Sequence, residues 1–183
     1  MTESASTVFL ADAASTDLLA TTVGTWRLDP ASTTIEIHTK AIWGLEKVKG
    51  TFGAVSGTGT VGDHGSISGE LTIDAASVDT GNKRRDKHLR SAEFFDVSNH
   101  PTFTFTASEV APSDDGTLNI KGRLRIRDHA EPIELVAVPT NPSPDRVTLT
   151  AEATIDRSRW GMTWKKGASF VNRVAVVAQF VRT

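Results

Sequence analysis

The segment 82–101 contains the densest group of charged side chains in the sequence. Its basic residues are Lys83, Arg84, Arg85, Lys87 and Arg90. Such a cluster can bind a phosphate or another polar head group through charge-assisted hydrogen bonds, or it can form the solvated face of a helix. Asp86 lies inside the run and can pair with a neighbouring arginine. The solvated face is the preferred interpretation, because charge on an exposed surface costs little.

A second motif has the spacing of a nucleotide-binding loop. Gly57, Gly59 and Gly62 match the GxGxxG pattern. A dinucleotide site needs a helix directly after this loop, so that the helix N-terminus can hold the pyrophosphate. The residues that follow are Asp63, His64 and Gly65, and then another stretch that alternates between apolar and polar residues. The context therefore does not predict a dinucleotide site.

The remaining chemically capable residues form no recognisable catalytic or metal-binding motif. The histidines are scattered, and none has HExxH or another tight ligand spacing. The sequence has no cysteine, which excludes a thiol nucleophile, a disulfide and a cysteine-ligated zinc. It has no GxSxG elbow. We therefore predict no catalytic residue, no metal and no cofactor. The histidines are at positions 38, 64, 88, 100 and 129.

From Trp26 onward, apolar and polar residues alternate with a period of two in the elements that position these residues. In 34–43, for example, Ile35, Ile37 and Thr39 share one face, and charged residues take the other. About eight such stretches follow one another, which is typical of an antiparallel meander with one buried face. Closure into a barrel removes the exposed edges. We predict an all-β, eight-stranded antiparallel barrel, with a two-sheet sandwich as the alternative.

Turns and glycines punctuate the alternating stretches. Turn-rich joints are predicted at 62–65, 112–116 and 139–145. Gly50, Gly69 and Gly122 lie on the apolar face, where glycine permits strong bending or close approach of another group. The segment 82–101 breaks the period and ends before Pro101. It is predicted as a short helix or 3₁₀ turn plus a loop that lies over one end of the barrel.

Length and charge limit the domain organisation and the partners. The 183 residues fit one domain, with a flexible N-terminal arm at 1–23 and the barrel at 24–183. The net charge of −2 argues against nucleic acid as a partner. No segment approaches the roughly 20 apolar residues that span a bilayer. Residues 1–23 contain no basic start of the kind a secretory signal needs, so we expect a cytoplasmic protein.

Several long stretches of the sequence resemble the YceI-like family. They are WRLDPASTTIEI, VKGTFGAVSG, LTIDAASVDTGNKRRDKHLRSAEFFDVSNHPTFTF, GRLRIRDHAEPIEL and IDRSRWGM, within about 24–182. The resemblance implies an extended lipocalin-like barrel with a helical segment near its mouth, and a polyisoprenoid such as an isoprenoid quinone or its precursor as ligand. It implies no catalytic residue. By the same resemblance, the pocket entrance would lie near Arg85, Asp86, His88, Leu89, Phe94 and Phe95.

Together these observations predict a carrier or storage protein for a long-chain lipid. Two alternatives are a cofactor-independent enzyme that uses the same cavity, and a solid barrel that acts through its surface. A homodimer is left open. The large side chains near the barrel ends can plug the core or contact the ligand. The predicted ligand-binding residues are Ile37, Phe52, Ile73, Arg85, His88, Leu89, Phe94, Phe95, Phe103, Phe105, Leu124, Ile126, Leu149, Trp160, Trp164 and Phe180.

Overall fold

The computed structural model describes residues 23–41, 46–63, 65–164 and 167–183. Except for Val23, the predicted arm therefore lies outside the described residues. His64 lies outside them as well. One helix, α1 (Lys83–Arg90), and eleven strand segments account for most of the described chain. The segments are β1 (Gly24–Leu28), β2 (Thr34–Ala41), β3 (Glu46–Phe52), β4 (Val55–Val61), β5 (Ile67–Asp74), β6 (Val78–Asp79), β7 (Thr102–Pro112), β8 (Leu118–Ile126), β9 (His129–Ser143), β10 (Arg146–Asp156) and β11 (Val171–Arg182).

The eleven segments form a closed barrel of eight strands. The pairs β1 and β2, β3 and β4, and β5 and β6 are each one barrel strand with a short break. The ring closes because β11 pairs with both parts of the first strand, with Phe180 opposite Leu28 and Val174 opposite Ile37. Every pairing is antiparallel. The predicted eight-stranded barrel is confirmed, and the sandwich alternative is wrong.

Two of the three breaks in the long strands come from local capping. Between β1 and β2, the Asp29 carboxylate accepts a hydrogen bond from the Ala31 amide at 3.1 Å, and Pro30 begins a 3₁₀ turn. Between β5 and β6, Asp74 accepts from the Ala76 amide at 2.8 Å. Proline has no amide hydrogen for the ladder, and an aspartate that bonds its own backbone competes with sheet pairing.

Helix α1 lies at one end of the barrel, in the long connection between β6 and β7. The Asn82 side chain accepts hydrogen bonds from the amides of Arg84 and Arg85, both at 3.1 Å, and so caps its first turn. Basic side chains in its last turn complement the partial negative charge there. The β8–β9 turn and the β10–β11 connection reach the same end, named here the α1 end. The short helix over one end is confirmed.

Aromatic side chains pack the interior near the α1 end. Phe103 meets Phe52 and Phe95 edge to face, at centroid distances of 5.6 and 4.9 Å. All three are buried. This edge-to-face geometry adds to the stabilisation that burial of the rings provides. The cluster anchors the 82–101 segment to the barrel wall.

The predicted turn at 139–145 is wrong for most of its length. Strand β9 continues to Ser143, and Pro139 lies opposite Leu149 of β10. The register shifts here, since Thr140 faces Thr148 while Ser143 faces Arg146. Asn141 and Pro142 therefore form a bulge, and a bulge tolerates the missing proline donor. The proline content of 139–145 predicted a turn, and the bulge that accommodates these residues in a strand cannot be recognised from the sequence.

Gly122 of β8 allows one close approach inside the barrel. A Cβ atom there would lie 2.5 Å from the Phe105 ring and from the Thr106 carbonyl oxygen. We expect Gly122→Ala to lower the free energy of unfolding by about 1–3 kcal/mol, because the backbone oxygen cannot yield without distorting the sheet. Gly59→Ala is the matched control, since its nearest non-neighbouring atom would lie 3.6 Å away. Equal urea midpoints for the two variants would contradict this account.

Candidate ligand-binding cavity

A cavity of about 710 Å³ runs inside the barrel, lined by residues from all eight barrel strands. Its volume is within the range of pockets that hold small molecules. The cavity overturns the alternative of a solid barrel. Most inward positions along the strands are aliphatic or aromatic, as the period of two predicts.

The structure brings the predicted ligand-binding residues together with one exception. Every residue of the set except Trp160 lines the cavity. Trp160 is fully buried, and its indole Nε1 donates a hydrogen bond to the Leu124 carbonyl at 2.9 Å, so it packs against strand β8 and not toward the cavity. Contact between the lining residues and a ligand stays a prediction.

The half of the cavity away from α1 has a mainly apolar lining. Its inward side chains are half-buried because they face the cavity and not one another. An apolar lining of this kind binds a chain of methylene or isoprene units through burial alone, with loose specificity along the chain. Representative residues are Leu71, Phe105, Ile120, Leu135 and Leu149.

The α1 end carries a buried cation, Arg157. Its guanidinium lies over the rings of Phe94 and Phe170, with centroid distances of 5.1 and 4.6 Å. The side chain is 4% exposed. Burial lowers the pKa of Arg157 from its ordinary value, and the nearby Asp156 carboxylate opposes that shift. Aromatic faces and hydrogen bonds compensate for the water that the cation has lost.

Arg157 holds the β10–β11 connection over the cavity. Its guanidinium donates to the carbonyl oxygens of Trp164 at 2.5 Å and Ser169 at 3.1 Å, and also to those of Met162 and Ala168. Asp156 caps the 3₁₀ turn Arg157–Trp160 by accepting from the Ser158 amide at 3.0 Å. Sequence reasoning missed Arg157. Its only signal was its place in the family-like stretch IDRSRWGM.

The basic cluster of α1 divides into structural and exposed residues. Arg90 donates to the carbonyls of Ala76 at 2.7 Å and Val78 at 2.6 Å. Arg85 donates to the Thr80 hydroxyl at 2.8 Å, and buried Asp86 accepts from the same hydroxyl at 2.5 Å. These bonds fasten α1 to β6. The side chains of Lys83, Arg84 and Lys87 are exposed, as a solvated helix face predicts.

His88 and Thr39 bring polar atoms to the cavity at the α1 end. The His88 ring lies against Trp164, with centroids 4.6 Å apart, and its Nδ1 is 3.5 Å from a Glu93 carboxylate oxygen. Its Nε2 atom is buried and has no hydrogen-bond partner among the described residues. The same holds for the Thr39 hydroxyl oxygen. Both residues line the cavity.

Comparison with known proteins identifies the family. The sequence model of the YceI-like domain matches residues 26–181. The chain belongs to the YceI-like family. A UPF0312 protein of Pectobacterium atrosepticum is 36% identical over 113 residues, which are 59% of this chain and 58% of that protein. A UPF0312 protein of Ectopseudomonas mendocina is 42% identical over 67 residues, 37% of this chain and 35% of that one. The matches thus span between about a third and three fifths of these relatives.

Solved structures show the same fold as this YceI-like chain. Burkholderia cenocepacia BcnA superposes with a TM-score of 0.75 at 21% identity, covering 83% of this chain and 98% of that chain. A polyisoprenoid binding domain from Saccharophagus degradans gives 0.71 at 16% identity, covering 86% and 98%. The YCEI protein of Campylobacter jejuni gives 0.61 at 24% identity, covering 74% and 86%. At these identities the likeness establishes the barrel.

The GxGxxG glycines lie in or directly after strand β4, and β5 follows through a turn. Within the described ranges, no three metal-ligating side chains cluster, and no helix has the length and hydropathy to cross a bilayer. Hydrogen bonds lower the pKa of three carboxyl groups, those of Glu36, Asp115 and Asp156. All three lie outside the cavity lining.

Proposed function

We propose that this YceI-like domain binds a long-chain isoprenoid or similar amphiphile inside its barrel, as a carrier or storage protein. The observation that carries the proposal is the continuous apolar cavity of about 710 Å³. At roughly 30 Å³ for a water-sized group, it has room for about twenty methylene-sized groups. Each buried CH₂ contributes about 0.8 kcal/mol before ordering costs, so a long tail needs few polar contacts.

The proposed ligand class has support from a structural neighbour. The Saccharophagus degradans protein with the same barrel is described as a polyisoprenoid binding domain. An isoprenoid quinone or its precursor combines a branched apolar tail with a compact polar ring. That shape matches a cavity with an apolar half and a more polar α1 end.

Native mass spectrometry and organic extraction of the purified full chain test the proposal. We expect a long-chain amphiphile at close to one per chain, and uptake of added prenyl quinone by protein from which lipid has been extracted. The bound molecule should be recovered chemically unchanged after prolonged incubation. Protein that is repeatedly free of lipid and takes up no prenyl quinone would overturn the carrier proposal. Turnover of the added quinone would favour an enzyme in the same cavity.

A further inference from the structure

Two polar atoms without partners lie in the lining of a mainly apolar cavity. They are His88 Nε2 and Thr39 Oγ1, each buried and without a hydrogen-bond partner among the described residues. Most buried polar atoms in proteins are hydrogen-bonded, and each exception calls for a physical reason. A ligand atom that supplies the missing bond is such a reason, since both residues face the space that a ligand would fill.

The two atoms belong to the same end of the barrel. His88 is on α1, and Thr39 is on β2 close to its end, one residue from the pair formed by Lys40 and Lys47. Strand β2 runs toward the α1 end, because β1, its other half, lies opposite the C-terminal residues of β11. Both unpartnered polar atoms therefore lie at one end of the cavity, and most of the lining away from that end is apolar.

The surroundings of His88 indicate which hydrogen bond it offers. Its Nδ1 faces the Glu93 carboxylate at 3.5 Å, which favours a proton on that nitrogen. A ring with its proton on Nδ1 presents Nε2 as an acceptor, so the matching ligand group is a hydroxyl that donates. The Thr39 hydroxyl can donate or accept. Trp164 lies against the His88 ring and also lines the cavity, which gives a planar head group a surface to pack on.

The two arginines among the described residues of the cavity lining are engaged with the protein itself. Arg157 donates to four carbonyl oxygens, and Arg85 donates to the hydroxyl and carbonyl of Thr80. A carboxylate or phosphate placed among them would lose its water, and the cations would have to break these bonds to pair with it. The end favours an uncharged head group.

We infer that the ligand has a neutral, hydroxyl-bearing head group, which donates to His88 Nε2 and pairs with Thr39 at the α1 end. Its tail extends toward the opposite end of the barrel. This inference rests on the proposed function. It narrows the proposed class to a hydroxyl-bearing molecule such as a quinone precursor, because the carbonyls of a quinone cannot donate, and it names the two residues that select the head group.

Three probes with one tail test the inference on the full chain: geranylgeraniol, its methyl ether and geranylgeranoic acid. Binding is measured by quenching of tryptophan fluorescence and checked by native mass spectrometry. We expect the wild-type protein to bind the alcohol about tenfold more tightly than the ether, because the ether has no hydroxyl to donate. We expect the carboxylate, measured well above its pKa, to bind at least as weakly as the ether.

Variants test whether the preference for the alcohol over the ether depends on His88 and Thr39. His88→Phe keeps an aromatic ring and should reduce the affinity for the alcohol to that for the ether, while the ether is unaffected. Thr39→Val keeps the shape of the side chain and should reduce the preference for the alcohol in part. His38→Phe is the control, because His38 is on the outer face of β2 and pairs with Glu36. It should leave the preference unchanged.

The outcomes separate the two proposals. Equal binding of alcohol and ether by the wild-type protein would overturn the head-group inference and leave the carrier function standing. A carboxylate that binds as tightly as the alcohol would overturn the neutral head group. Failure of all three probes to bind would overturn the carrier function and the inference with it. If His88→Phe does not fold, the probe comparison on wild-type protein and Thr39→Val decides the matter.

Discussion

Replacing Arg157 with methionine is expected to lower the free energy of unfolding by about 3–5 kcal/mol. Methionine keeps most of the apolar stem but removes a guanidinium that donates to the carbonyls of Met162, Trp164, Ala168 and Ser169. A buried acceptor left without its donor costs about 1–3 kcal/mol. The variant also loses the packing of the cation on Phe94 and Phe170.

Urea denaturation compares Arg157→Met with a control variant, Arg159→Met, in which the arginine two residues further along the chain is replaced. Arg159 is 44% exposed at its side chain and pairs with Glu131 at 2.8 Å. Because exposed ion pairs contribute about 0–1 kcal/mol, Arg159→Met should cost less than about 1 kcal/mol. Hydrogen exchange in Arg157→Met should rise first in the β10–β11 connection. Equal unfolding free energies for the two variants would show that Arg157 does not organise that connection.

The barrel could be predicted because alternation has a direct physical cause. Ile35, Ile37 and Thr39 line the cavity as their spacing predicts, while Glu36 faces outward and pairs with Lys49 at 2.7 Å. If the strand shifted by one residue in its pairing, the side chains that line the cavity would face outward, and those that face outward would line the cavity. The bulge at Asn141–Pro142 depends on which partner each backbone group finds across the strands. Local sequence contains too little of that information.

From the sequence, the candidate site could be predicted only as the set of strand side chains that face inward. The same alternation occurs whether a barrel interior is solid or hollow, because the difference depends on the summed volumes of inward side chains. The structure leaves space beside small inward residues such as Ala151 and Ala153. Arg157 was missed for a different reason: its partners lie 5 to 12 residues further along the chain, and only the folded connection brings their carbonyls to it.

Ala151→Phe is expected to weaken binding of a long prenyl probe by at least about tenfold. Ala151 is in the middle of β10, faces the cavity, and lies opposite Ala137 and Val176 of the neighbouring strands. A phenyl ring there must project into space that the tail would occupy. Each excluded methylene group forfeits about 0.8 kcal/mol, so the loss of two already weakens binding about tenfold.

Tail length distinguishes a blocked cavity from a damaged protein. Farnesol has a shorter tail than geranylgeraniol and should lose less affinity in the Ala151→Phe variant, because more of it fits between the α1 end and the new ring. Thr154→Phe adds the same ring to the exposed face of the same strand and should change neither affinity. If Ala151→Phe binds both probes as the wild-type protein does, the tail does not pass β10, and the interior of the barrel is not the binding site.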